Sequence, residues 1–127
     1  MAVFSSNTQL YVVMQQLVAR IEAEYPQATE AMLKSKLVIR FNCQEPAGEI
    51  TIDGSKRPLA IHYGPTAVKP ELDITLPSDT LHQILLGNLN LAKALGSKQV
   101  QPKGPVWKVM SLAPLFDQAQ KIYPQLL

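Results

Sequence analysis

ELDITLPSDTLHQILLG, residues 71–87, changes its apolar period midway. Leu72, Ile74 and Leu76 alternate with Asp73 and Thr75, the period of two that marks a half-buried strand. From Ser78 the apolar residues Leu81, Ile84 and Leu85 instead recur every three or four positions, the spacing of a helix face. Asp79 falls in the first turn, where the helix dipole favours a negative charge, and Gly87 supplies a stop. A strand feeding directly into an amphipathic helix lets that helix fold back over the sheet, so this stretch argues for a layered α+β protein.

Working outward, the same period of two recurs in KLVIRFNC (36–43), GEITIDG (48–54) and PLAIHYG (58–64). The turn-rich segments QEPAG, DGSKRP and GPTAVKP join these strands. Together they predict a largely antiparallel sheet with one apolar face and one wet face. SKQVQPKG (97–104) predicts a fifth strand, which Pro102 confines to an edge or a bulge. Upstream, Ser5, Ser6 and Asn7 offer N-caps, and Leu10, Met14, Leu17 and Ile21 lie along one helical face that Pro26 ends. A short amphipathic piece, roughly 27–34, follows. Downstream, NLNLAKAL (88–95) predicts a second short helix, and PVWKVMSLAPLFDQAQKIYPQLL (105–127) an apolar helical segment split or kinked at Pro114.

The bulk numbers narrow the function. A chain of 127 residues suits one domain spanning 1–127, and 46% hydrophobic residues supply a core. Twelve basic and ten acidic residues give a net charge of +2, which with 6% aromatics does not suit a nucleic-acid binder. The lone Cys43 forms no internal disulfide and fits a reducing compartment. No apolar run reaches the ~18 residues that span a bilayer, and the start lacks a signal-peptide pattern, so a cytoplasmic location is expected.

Chemistry-bearing constellations are scarce. Strand parity puts Cys43 and His62 on opposite faces of the sheet, which separates the one thiol from that imidazole. His62 and His82 stand twenty residues apart without Cys or carboxylate at ligand spacing, so no metal site and no cofactor are expected. No glycine-rich loop precedes a helix to cradle phosphate. Lys93, Lys98, Lys103 and Lys108 gather late in the chain, either to meet an anionic headgroup or as a solvated face. The strongest clue is apolar: two consecutive greasy helices, with Met14, Met32 and Met110 as adaptable filler, are more than a small core needs and point to a hydrophobic cavity.

The stretch LDITLPSDTLHQILLGNLNLAKALGSKQVQPKGPVWKVMSL (72–112) resembles the sterol carrier protein-2 family, in a stand-alone prokaryotic-type form. Leu81, Ile84 and Leu85 match its helix before Gly87, Leu89, Asn90 and Ala94 the following segment, and Gly104, Val106, Met110 and Leu112 the final helix and its approach. This chain departs from the family at Lys98, where a glycine is usual, at Pro102, where an apolar residue is usual, and at Trp107, where a small one is. The resemblance implies a five-stranded sheet with helices on one face, enclosing a hydrophobic tunnel for a fatty acid, fatty acyl-coenzyme A, sterol-like or quinone-like lipid, held without catalysis. The expected lining is Phe41, Ile50, Ile52, Ile61 and Ile74 below, with Leu81, Leu85, Leu89, Val106, Trp107 and Met110 above. A sixteen-carbon chain buried there contributes on the order of 10 kcal/mol before binding costs. Transient membrane contact is a further expectation. The alternative is a homodimer or an accessory to an enzyme acting on hydrophobic substrates, with the cavity collapsed and Leu112 to Ile122 as the contact surface.

Overall fold

The structure is a computed structural model that describes residues 3–57 and 59–127, the side chain of Met110 excepted. Five strands form one sheet: β1 (Val38–Gln44), β2 (Gly48–Asp53), β3 (Ala60–Tyr63), β4 (Leu72–Pro77) and β5 (Gln101–Lys103), in the order β3-β2-β1-β4-β5. Three of the four pairings are antiparallel, as the alternation predicts, whereas β1 and β4 run parallel. The parallel pair follows from where the chain must go. Leaving β3 at one edge, it starts β4 three strand spacings away, about 14 Å across and at the opposite end of the sheet. Residues 64–71 therefore have to cross a face of the sheet almost fully extended.

That crossing explains why the polar face is less wet than expected. The helices occupy the apolar face, so the connection returns over the other one, where Thr51 is fully buried. Arg40 and Asn42 both donate to the Asp73 carboxylate there, and Arg40 also reaches Glu49 at 3.9 Å. His62 lies on this face as the partner of Thr51, whereas Cys43 shares the apolar face with Phe41, opposite to it.

The helices are α1 (Asn7–Glu24), α2 (Glu30–Ser35), α3 (Ser78–Leu85), α4 (Leu91–Gly96) and α5 (Ala113–Ile122). Ser6 caps α1, its hydroxyl accepting from the Gln9 N–H at 3.1 Å. Pro26 ends α1 by opening a short 3-10 turn, Pro26–Thr29, that leads into α2. The stop after α3 is a complete Schellman motif. Gly87 stands at φ +81, its N–H donates to the Ile84 carbonyl, and the Asn88 N–H donates to that of Gln83, both at 3.0 Å. The final segment divides as Pro114 requires, into a 3-10 stretch, Val106–Leu112, and α5 with the proline in its first turn. Its apolar stripe, Leu112, Leu115, Phe116, Ala119 and Ile122, is buried within the chain, where α5 packs against α1 and α3. The surface expected to serve self-association is thus turned inward.

β5 is an edge strand of three residues, with Pro102 opposite Ile74. Gly104, at φ +122, ends it where the chain passes close to β4; a Cβ there would lie 2.5 Å from the Glu71 carbonyl oxygen. His82 of α3 is buried. Its Nδ1 lies 2.7 Å from the Tyr123 hydroxyl, and the edges of Phe4 and Tyr123 enclose the ring.

Candidate functional site

Between the apolar face of the sheet and the helices lies a slot lined only by apolar side chains. The floor is Phe41 from β1, Ile50 and Ile52 from β2 and Ile61 from β3. The register explains the grouping: Phe41 pairs with Ile50, and Ile52 with Ile61, so all four point to the same side. The roof comes from three helices: Met14, Leu17, Val18 and Ile21 of α1, Leu81 and Leu85 of α3, and Leu115, Phe116 and Ala119 of α5. The slot is narrow, about 60 Å³, on the scale where a single water takes roughly 10–15 Å³. A void of this chemistry offers water no partner and is open to hydrocarbon. Among the lining residues only Val18 and Ile61 are half-buried, so the slot comes nearest to solvent between α1 and β3.

A second, larger cavity of about 460 Å³ opens beside it. It is a groove between α4, the Val106–Leu112 stretch and α5. Leu91, Ala92, Leu95, Val106, Val109 and Ala113 make its apolar walls, with Asn90, Asp117 and Gln120 as polar groups. Phe116 lines both cavities and so forms the partition between them. Its ring stands edge-on to Phe41, with centroids 6.3 Å apart.

Of the eleven residues expected to line a tunnel, Phe41, Ile50, Ile52, Ile61, Leu81 and Leu85 meet in the slot. Ile74 sits beside Phe41 on the same face but is completely covered and reaches neither cavity. Leu89 is half-buried against the core, outside both linings. Val106 lines the outer groove. Trp107 closes nothing: it is 74% exposed, because the 3-10 geometry turns it away from the body of the protein. Met110 falls on a side chain outside the described residues. The contributions missed are those of α1 and α5. The signal for α1 was present in the spacing of Met14, Leu17 and Ile21, but nothing in that spacing says which part of the sheet the helix crosses.

Nothing in the slot is charged, and the ionisable group nearest in kind to a nucleophile is disarmed. Burial pushes the Cys43 thiol up to about 11, against the weaker opposing pull of a hydrogen bond from Ser78, so it stays protonated at neutral pH. Among the described residues no group of three His, Cys, Asp or Glu side chains could hold a metal ion, and no helix is long and apolar enough to cross a membrane.

This arrangement of sheet and helices occurs in known structures. The sterol carrier protein domain 2 of Helicoverpa armigera superposes with a TM-score of 0.70 at 19% identity, over 95% of this chain and 94% of that one. The apo form of sterol carrier protein 2 from Yarrowia lipolytica gives 0.67 at 18% identity, over 94% and 96%. Palmitated SCP2L2 from Aedes aegypti gives 0.62 at 18% identity, over 82% and 90%. At these identities the likeness is one of fold. No curated protein matches the sequence. Residues 14–117 match the profile of the SCP-2 sterol transfer family, which covers most of the chain and every element that lines the slot from Met14 to Phe116; the chain belongs to that family.

Proposed function

We propose that this protein binds the hydrocarbon chain of a lipid, non-catalytically, in the slot between its sheet and helices α1, α3 and α5. The observation that carries the reading is the slot's lining, in which thirteen side chains from six elements converge without one polar group. Family membership and the palmitated state of the Aedes aegypti protein support it. The driving force is removal of apolar surface from water, which is non-directional, so selectivity among straight chains is low. The slot as it stands takes only a few methylenes, and a long chain extends past Phe116 into the groove. There the amides of Asn90 and Gln120 offer hydrogen bonds to the polar end of the ligand.

Native mass spectrometry before and after organic extraction tests this reading. A lipid mass that disappears on extraction and returns with added palmitate supports it. Two variants assign the uptake to the slot. Leu85→Asp places a charge in the lining and is expected to abolish uptake. Ala119→Leu fills the same space with hydrocarbon and no charge, and is expected to abolish it while the fold persists. Palmitate uptake by a folded Ala119→Leu protein at the wild-type level would refute the assignment.

A further inference from the structure

Charge is unevenly distributed along this chain. Residues 80–116 contain Lys93, Lys98, Lys103 and Lys108 and no Asp or Glu. The remainder, with eight basic and ten acidic residues, is net negative. This basic segment builds α4 and the Val106–Leu112 stretch, two of the elements that frame the outer groove, and the edge strand β5 between them in the chain. Lys93, Lys98 and Lys103 are exposed, and among the described residues none of them has an ion-pair partner.

At the same corner stands the most exposed large apolar side chain described, Trp107 at 74%, next to Val106 at 45%. An indole left in water by a chain that buries nearly every other large apolar group calls for an occupant. Trp107 is held in place. The Lys108 ammonium lies 5.3 Å from the ring centroid and 2.8 Å from both carboxylate oxygens of Glu71, which fixes the cation over the indole. Two of the carboxylates near this corner are engaged, Glu71 by Lys108 and Asp73, opposite Lys103, by Arg40 and Asn42, which leaves the exposed Asp117 of the groove as one negative charge beside three exposed lysines.

We propose that this corner docks on an anionic lipid bilayer, with Trp107 and Val106 at the headgroup level and the lysines against the negative surface. An amphipathic indole suits the boundary between headgroup and acyl chain better than it suits water. Lysines beside it match the sign of an anionic leaflet. The groove behind Val106, with Phe116 as its inner wall, would then face the membrane, so that a lipid chain need not cross water to reach the slot. That last step rests on the lipid-binding reading; the docking itself does not.

Trp107 is the sole tryptophan, so its emission reports on this corner alone. The full chain is titrated with vesicles of equal parts phosphatidylglycerol and phosphatidylcholine, and with phosphatidylcholine alone. The expected result is a blue shift with the anionic vesicles only, reversed by salt. Replacing Lys93, Lys98 and Lys103 together with Gln is expected to weaken partitioning about 100-fold, at roughly fivefold per lysine near an anionic surface. Trp107→Ala is expected to reduce co-sedimentation with those vesicles. An unshifted emission, an equal shift with neutral vesicles, or a shift that grows with protein concentration and needs no vesicles would overturn the proposal. The last of these would assign the corner to self-association. Palmitate uptake from solution separates the two readings: uptake kept by the triple Lys→Gln variant with docking lost localises the docking, docking kept by that variant overturns it, and a wild-type protein that docks but takes up no palmitate removes the slot reading alone.

Discussion

Phe116 carries the sharpest consequence of the two-cavity arrangement. The slot has room for about four to six water-sized groups, so methylenes confined to it gain about 3–5 kcal/mol gross. Each further methylene of a longer chain is buried only if the ring swings aside. Moving it gives up the edge-on contact with Phe41 and strains its rotamer, together about 1–3 kcal/mol. Phe116→Ala removes that cost and joins the slot to the groove. Palmitate affinity should then rise roughly 5- to 150-fold relative to octanoate, whose shorter chain has less need of the passage. The variant also loses a side chain that is only 9% exposed. It should be destabilised by about 3 kcal/mol, or about 12 °C in Tm at this chain length. The assay is displacement of a fluorescent fatty acid by a ladder of chain lengths, run well below the lowered Tm with folding checked by circular dichroism. If the variant is folded and its chain-length profile matches the wild type, Phe116 is no partition, and long chains leave the slot between Val18 and Ile61 instead.

Other expectations concern the frame. Lys98 holds φ +64, a left-handed conformation in which a Cβ costs energy, so Lys98→Gly should stabilise the fold by about 1 kcal/mol, seen as a rise of about 4 °C in Tm. Tyr123→Phe strands the buried His82 Nδ1 and should lower stability by about 1–3 kcal/mol in urea denaturation, whereas a surface control such as Gln125→Ala should not. Alkaline pH should destabilise the protein. Burial raises Cys43 from an ordinary 9.0 to about 11, and burial with the nearby Glu22 charge raises Tyr63 from 10.0 to about 12. Both folded values exceed the unfolded ones, so the unfolded chain releases its protons first and binds fewer of them as pH climbs. This stabilisation is complete below about pH 9 and drains away between about 9 and 12. Cys43→Ala should flatten the fall in urea midpoint between about pH 9 and 11, and an unchanged slope would mean that the thiol is not the group responsible.

What was legible in the sequence, and what was not, divides along a physical line. Periodicity reports which side of an element is apolar, and it located β1 to β4 and the helix faces because burial on one side is a local property of the chain, whereas the three-residue β5 is too short to show a period. Gly87, Pro26 and Pro114 were legible for the same reason, since caps and breaks depend on neighbours within a turn. The parallel pairing of β1 with β4 was not, because it depends on a connection that crosses the sheet. The site divides likewise. Phe41, Ile50, Ile52 and Ile61 could be named from strand parity, and Leu81 and Leu85 from the helix that follows β4 directly. Met14, Leu17, Leu115 and Ala119 reach the same slot from distant parts of the chain, and only the packing of α1 beside α5 brings them there. Trp107 shows the converse. An apolar residue in an apolar run reads as core, yet the 3-10 stretch after Gly104 gives the segment a different angular spacing from that of an α-helix, and the indole emerges into solvent. A misplaced large side chain of this kind is the residue most worth testing, because neither the core nor the slot accounts for it, and a surface that meets lipid does.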